Sequence, residues 1–91
     1  MNYKVGINQM GRGGTLFYEE NDARITFDWE FSMTGATVFV PTPAQWDAVC
    51  GSENFIGRRL EILENLGSEL CRQQTSNGTF EIDDQWLEIV F

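Results

Sequence analysis

The sequence predicts an α+β fold in which one antiparallel sheet carries one long and one short helix on one of its faces. Segments with strand alternation come first, two segments with helical spacing follow, and two more strands end the chain. A strand with one apolar face needs a second layer to cover it, and the apolar stripe of the longer helix supplies that layer. The predicted order is ββββααββ, a two-layer sandwich in which a four-strand meander and a C-terminal hairpin form a single domain over residues 1–91.

The clearest strand is the segment 23–32, in which apolar and polar side chains alternate without a break. The apolar positions are Ile25, Phe27, Trp29 and Phe31, and the polar positions are Arg24, Thr26, Asp28, Glu30 and Ser32. Successive side chains of a strand point to opposite faces of a sheet. This strand therefore has one face for the core and one largely acidic face that is left for solvent or for a partner.

Three further strands complete the predicted meander, at 3–8, 15–20 and 37–41. The first two are separated by a glycine-rich loop at 11–14. Asn21 and Asp22 tolerate left-handed conformations and turn the chain from the second strand into the third. A turn at 33–36 leads into the fourth strand.

A short helix is predicted after the meander. Thr42 and Gln45 stand three residues apart, as in a capping box, where each side chain bonds the backbone N–H of the other residue. Pro43 suits the first helical position, and Gly51 suits the left-handed position after the helix end. Trp46 is the expected anchor of this helix in the core.

A longer helix is predicted over 54–74, with a stop signal at 76–78. Its apolar stripe consists of Ile56, Leu60, Leu63, Leu70 and Cys71, flanked by Phe55, Ile62 and Leu66. The opposite side consists of Glu61, Glu64, Asn65, Ser68 and Arg72. Gly67 falls inside the stripe and costs about 1 kcal/mol in helix propensity relative to alanine. We expect this glycine to let the helix lie close to the sheet.

The chain returns to strand at its C-terminal end. Strands at 79–82 and 86–91 flank a turn at 83–85, where aspartate residues bond their own backbone readily. These segments form the predicted C-terminal hairpin.

The composition indicates an acidic protein. Fourteen acidic residues against six basic ones give a net charge of −8 and a pI near 4.2. A charge of this sign disfavours direct binding to nucleic acid or to an anionic membrane, and it favours a basic partner. Acidity also keeps small proteins soluble, so the charge total alone does not decide the function.

The sequence predicts a cytoplasmic location. It shows no signal-peptide pattern and no apolar run of bilayer length. Cys50 and Cys71 are therefore expected to be reduced thiols. Both lie on apolar helix faces, where cysteine packs as a small hydrophobic residue.

The residues offer no recognisable catalytic, cofactor or metal site. The chain contains no histidine, the commonest general base and metal ligand near neutral pH. The 11–14 loop lacks the Gly-Lys-Ser/Thr ending of a phosphate loop and precedes a strand. The acidic turn at 83–84, with Glu81, does not match a calcium loop. Asp28 and Glu30 lie about 6.5–7 Å apart along a strand, but an open sheet face supplies no desolvated cleft for an acid–base pair.

The turn at 21–22 fixes the expected pairing of the second and third strands. With these two residues as the hairpin loop, Glu19 lies opposite Arg24 and Phe17 lies opposite Thr26 on the polar side. The first of these pairs joins opposite charges, which stabilises adjacent strands. A slip of one residue would move every side chain to the wrong face.

The same reasoning at the next turn completes a candidate binding patch. With a two-residue loop at 34–35, Glu30 lies opposite Phe39. The patch then consists of Phe17, Thr26, Asp28, Glu30 and Phe39. Aromatic rings beside unpaired carboxylates are typical of surfaces that bind other proteins.

Three functions fit the sequence. We expect a small cytosolic protein-binding module of the inhibitor, immunity or adaptor type that binds a basic partner, with imitation of nucleic acid as one variety. The first alternative is a homo-oligomer, such as a homodimer, that buries the patch. The second alternative is a ligand-binding or enzymatic domain with a pocket between sheet and helices.

Overall fold

The computed structural model describes residues 3–74 and 77–90, and it confirms the predicted two-layer α+β sandwich. The strands are β1 (Tyr3–Met10), β2 (Gly13–Glu20), β3 (Ala23–Phe31), β4 (Gly35–Phe39), β5 (Thr79–Ile82) and β6 (Trp86–Val90). The helices are α1 (Trp46–Val49) and α2 (Arg59–Gln74), with a 3₁₀ turn between them at Glu53–Phe55. The predicted stop signal at Ser76 and the predicted strand end at Phe91 lie outside the described residues.

The strands form one antiparallel sheet of order β1-β2-β3-β4-β6-β5. β1 to β4 are the predicted meander, and β6 joins the C-terminal hairpin to it by pairing with β4. The core lies between one face of the sheet and the layer formed by α1, the 3₁₀ turn and α2. The helical layer contributes Trp46, Phe55, Ile62, Leu63, Leu66 and Leu70 to this core. We call the other face, which no described helix covers, the open face.

The predicted register between β2 and β3 is confirmed, whereas that between β3 and β4 is wrong by two residues. Glu19 pairs with Arg24, and Asn21 turns the chain with a φ of 54°. Beyond β3, however, Asp28 pairs with Phe39, and the loop includes Ser32, whose N–H bonds the carbonyl of Gly35. A shift of two residues leaves every side chain on its predicted face, because the strand period is two.

The glycine-rich segment is part of the sheet rather than a loop. β1 continues to Met10, and the turn consists of Gly11 and Arg12. A β-carbon on Gly14 would stand 2.0 Å from the carbonyl oxygen of Asn8. Gly14 is therefore required by the close approach of the β1 backbone, a constraint that the sequence pattern does not reveal.

The predicted capping-box hydrogen bonds before the short helix are present, although α1 itself begins at Trp46, three residues after the predicted first helical position, Pro43. Thr42 Oγ1 accepts from the N–H of Gln45, and Gln45 Oε1 accepts from the N–H of Thr42, which is the capping box. Trp46 is buried, and its indole N–H donates to the carbonyl of Phe55 at 2.8 Å. Gly51 follows the helix with a φ of 80°.

The long helix begins five residues later than predicted, at Arg59. Gly57 has a φ of 73°, which ends the 3₁₀ turn and separates it from α2. The buried face is also rotated, because Ile62 and Leu66 lie at its centre while Leu60 is 58% exposed. Gly57 interrupts the helical conformation. Helical spacing counted from residue 54 therefore gives the wrong buried face for the residues that follow.

Both cysteines are free, as predicted. Cys50 is buried, and Cys71 is half-buried at the edge of the core, where burial raises the pKa of its thiol. Among the described residues, no helix combines the length and the hydropathy needed to cross a membrane.

Candidate functional site

The open face presents the outward side chains of all six strands, and two rows of them contain the residues of the candidate patch. One row runs across the sheet through Thr15, Asp28, Phe39 and Trp86. The adjacent row runs through Gly13, Glu30, Thr37, Glu88 and Glu81. The first row is aromatic on β4 and β6, and the second is acidic along most of its length.

The structure brings four of the five predicted patch residues together. Asp28 and Phe39 are direct cross-strand partners, and Glu30 and Thr26 lie two residues either side of Asp28 on β3. Thr26, Asp28 and Glu30 are exposed, and Phe39 is 43% exposed. These side chains form the part of the patch that a partner can reach.

Phe17 is on the same face but is already partly covered. The guanidinium carbon of Arg24 lies 4.0 Å from the centre of the Phe17 ring. The ring also lies over Gly6 on β1, where a β-carbon would be only 2.2 Å from Phe17 Cε1. Phe17 therefore points toward β1 and away from Phe39, and its ring is already occupied by contacts within the chain.

The residues of β6 and β5 belong to this surface as well, although the sequence pattern did not predict it. Trp86 pairs with Phe39 and is 41% exposed, and Glu88 pairs with both Thr37 and Glu81. The alternation within β6 indicates which of its residues share a face, but it does not indicate that β6 pairs with β4. The patch is therefore centred on β3, β4, β6 and β5.

The carboxylates of this patch differ in their hydrogen bonding. Thr37 Oγ1 lies 2.9 and 3.0 Å from the two carboxylate oxygens of Glu88, and Ser32 Oγ donates to Glu88 at 3.3 Å. The carboxylates of Asp28, Glu30 and Glu81 have no hydrogen bond or ion pair with any other described residue. Glu88 is therefore held in place, while the other three carboxylates are free to meet a partner.

Two shallow depressions lie on either side of the aromatic pair. One is lined by Glu81, Ile82, Asp83, Trp86 and Glu88. The other is lined by Met10, Arg12, Gly13, Gly14, Asp28, Trp29, Glu30 and Phe39. Both are open to solvent and suit side chains inserted by another molecule more than they suit an enclosed ligand.

A polar network on the helical side joins the sheet to α2. Arg58 donates to both carboxylate oxygens of Glu20, at 2.9 and 2.8 Å. The Tyr18 hydroxyl donates to Glu20 and accepts from Asn65. The hydrogen bonds from Arg58 hold the pKa of the Glu20 carboxyl below its usual value, and burial raises the pKa of Tyr18. With each of these polar groups hydrogen-bonded inside the chain, the network fixes the position of α2.

An apolar cleft of about 250 Å³ opens where the sheet and the C-terminal end of α2 separate. It is lined by Ile7, Gln9, Leu16, Trp29, Phe31, Ala36, Val38, Leu70, Gln74 and Ile89. None of these residues is titratable, and the indole N–H of Trp29 already donates a hydrogen bond to the carbonyl oxygen of Thr15. The cleft therefore offers apolar contact and two amides, but no acid, base or nucleophile.

The acidic turn of the hairpin is held by an arginine. Arg59 donates to the carbonyl oxygens of Pro41, Asp83 and Asp84. Across the described parts of the chain, no three His, Cys, Asp or Glu side chains are placed to hold a metal ion.

Family models, curated proteins and solved structures were compared with the chain. None of them matches it. The open face is therefore the feature on which a function can be based.

Proposed function

We propose that this protein is a small protein-binding module that uses its open face to bind a basic partner. The patch is the predicted one without Phe17 and with the outward residues of β6 and β5 added: Thr26, Asp28, Glu30, Phe39, Trp86, Glu88 and Glu81. An inhibitor, an immunity-type protein or an adaptor would all use such a surface. In this proposal the patch is a binding surface and not a catalytic centre.

One observation supports the proposal above all: exposed aromatic rings and unpaired carboxylates lie together on a face that no described helix covers. Phe39 and Trp86 are cross-strand partners, each more than two-fifths exposed. Aromatic residues are enriched in protein interfaces, where they contribute much of the contact area. Carboxylates around them favour a partner of opposite charge and speed its approach.

The charge of the patch also favours a different protein over a second copy of this chain. If two copies met through this face, the carboxylates of Asp28, Glu30 and Glu81 in one chain would lie close to the same carboxylates in the other. Like charges brought together in an interface cost free energy and suppress such pairings. A monomer that binds a basic protein avoids this repulsion.

We also propose a cytoplasmic setting for this binding. The two free thiols fit a reducing compartment. A basic protein in the same compartment, including one that binds nucleic acid, is the kind of partner that we expect.

The proposal can be tested by affinity capture with charge-reversed variants. The immobilised chain is incubated with lysate from its source, alongside Asp28→Lys/Glu30→Lys. The control is Glu53→Lys/Glu64→Lys, which changes the net charge equally but at exposed positions of the helical layer. We expect a specific partner to be captured by the native chain and by the control, and lost from the patch variant and in high salt.

Two results would contradict the proposal. If both double variants lose the partner to the same extent, binding depends on total charge and the patch has no special role. Light scattering over a dilution series provides the second test, because a dimer that persists on dilution and dissociates in Asp28→Lys/Glu30→Lys would favour the homo-oligomer instead.

A further inference from the structure

The open face carries the same arrangement of an aromatic residue and a carboxylate twice. On β2, Phe17 and Glu19 lie two residues apart and therefore share a face. On β6, Trp86 and Glu88 have the same spacing and lie on the same face of the sheet. The two strands thus present equivalent pairs of an aromatic ring and an acid.

An arginine from the neighbouring strand completes the first pair. Arg24 donates through Nη2 and Nε to one carboxylate oxygen of Glu19, at 2.9 and 3.1 Å. The same guanidinium lies over the Phe17 ring, with its carbon 4.0 Å from the ring centre. One guanidinium group therefore satisfies a carboxylate and an aromatic ring together, as its flat, charged shape allows.

The second pair has no arginine of its own. The neighbours of Trp86 and Glu88 across the sheet are Phe39 and Thr37 on β4 and Glu81 on β5. The depression beside Trp86 adds a further carboxylate, Asp83, and its described lining contains no cation.

The six basic residues of the chain lie elsewhere. Arg58 and Arg72 pair with carboxylates on the helical side, and Arg59 bonds backbone carbonyl oxygens. Lys4 lies on β1, and Arg12 lies in the β1–β2 turn. Arg59 is the basic residue nearest the hairpin turn, but it bonds the backbone there, and among the described residues no basic side chain forms an ion pair with Glu81, Asp83 or Glu88.

We propose that Trp86 and Glu88 form a receptor for an arginine side chain of the partner protein, with Glu81 and Asp83 as additional carboxylates. This inference rests on the proposed function and identifies the group that the partner inserts. The guanidinium lies over the indole ring and donates to Glu88, as Arg24 does to Phe17 and Glu19. Thr37 and Ser32 hold Glu88 in position, and its carboxylate keeps lone pairs for further donors.

The arrangement distinguishes arginine from lysine. A guanidinium stacks flat on an aromatic ring while its N–H groups reach a carboxylate in the same plane, whereas an ammonium is a compact and strongly hydrated charge. A purely acidic surface would attract both side chains alike. Preference for arginine is therefore the property that separates this receptor from the general field of the protein.

The test uses fluorescently labelled nona-arginine and nona-lysine peptides, with binding to the full chain followed by anisotropy at low salt. We expect nona-arginine to bind at least threefold more tightly than nona-lysine. Trp86→Leu and Glu88→Gln should each bring this ratio close to one, whereas Glu64→Gln on the helical layer should leave it unchanged. Circular dichroism of each variant verifies the fold, and Glu88→Gln keeps the acceptor for Thr37.

The outcomes separate this inference from the proposed function. Equal binding of the two peptides, a ratio that survives Trp86→Leu, or no binding of either peptide would overturn the arginine receptor. The proposed function would still stand if partner capture depended on Asp28 and Glu30. If partner capture did not depend on Asp28 and Glu30 but the arginine preference depended on Trp86, the proposed function of the wider patch would be wrong. The arginine receptor would then remain as a local site.

Discussion

The ring of Phe80 on β5 lies directly against Gly67 of α2. A β-carbon built on Gly67 would be 2.5 Å from Phe80 Cδ2, well inside any normal contact. Gly67 is buried in the middle of the helix, where glycine is otherwise unfavourable. The glycine allows the aromatic ring of the C-terminal hairpin to fit against the helix backbone, so it secures the strands that carry half of the candidate site.

We predict that Gly67→Ala destabilises the protein even though alanine is the better helix former. The gain of about 1 kcal/mol in helix propensity is smaller than the typical cost of about 1–3 kcal/mol for overpacking a core. We therefore expect a net loss of roughly 1 kcal/mol in the free energy of unfolding by urea denaturation. Ser68→Ala, one residue later and exposed, is the control and should be neutral or slightly stabilising. A stabilised Gly67→Ala variant would mean that the ring moves aside freely.

The ion pair between Glu20 and Arg58 predicts a loss of stability in acid. Hydrogen bonds from Arg58 lower the pKa of Glu20 in the folded state from its ordinary value of 4.5. The folded state then binds the proton more weakly than the unfolded state, so this stabilisation is present above pH 4.5 and is lost as the pH falls through the lowered pKa. In urea titrations, the native chain should be more stable than Glu20→Gln at pH 7, and the difference should shrink toward pH 3. A difference that is constant with pH would contradict this role.

The facing carboxylates of Glu81 and Glu88 predict that Glu81→Lys stabilises the sheet. Like charges directly opposite on neighbouring strands are destabilising, and an opposite-charge pair contributes about 0.2–1 kcal/mol. Thermal unfolding at low salt should show the gain, and added salt should reduce it. Glu64→Lys gives the same change in net charge without a facing carboxylate and should gain less. The same Glu81→Lys substitution should weaken nona-arginine binding, because it places a cation in the proposed receptor.

The contact between Gly6 and Phe17 predicts a strong coupling between these two positions. Alanine at position 6 would drive the Phe17 ring away from β1 and from beneath Arg24. We expect Gly6→Ala to cost about 1–3 kcal/mol in the native chain. In a Phe17→Ala background the cost should fall substantially, giving a coupling energy of about 0.5–3 kcal/mol in a double-mutant cycle. Additive effects would show that the ring does not lie over Gly6.

Local patterns were sufficient to predict most of the fold. Strict alternation and the Asn21 turn fixed the pairing of β2 with β3, including the Glu19–Arg24 ion pair. The next hairpin was predicted less well: the N–H of Ser32 bonds the carbonyl of Gly35, so the turn is centred on Met33 and Thr34 instead of Thr34 and Gly35, and the sequence does not distinguish the two positions. The predicted faces survived this error, since the register moved by an even number of residues.

The candidate site was predicted only in part, because half of it depends on contacts between distant segments. Asp28, Glu30 and Phe39 lie on adjacent strands of a meander, where sequence order gives spatial order. Trp86 reaches them only because β6 pairs with β4, and no local signal specifies that pairing. Phe17 was predicted to belong to the patch because it lies on the same face. The alternation pattern does not reveal that its ring packs against Arg24 and Gly6.

The position of β6 between β4 and β5 affects the order in which the sheet can form while the chain is being synthesised. During synthesis the β1–β4 meander can form from local hairpins, with β4 as its edge, whereas the pairing of β4 with β6 must await β6, which follows all the other described strands in the sequence. Phe39 and Trp86 become neighbours only at that final step. A nascent chain that has not yet added β6 would therefore display the acidic face of β3 without Trp86 and Glu88, and the proposed receptor would form only once β6 has paired with β4.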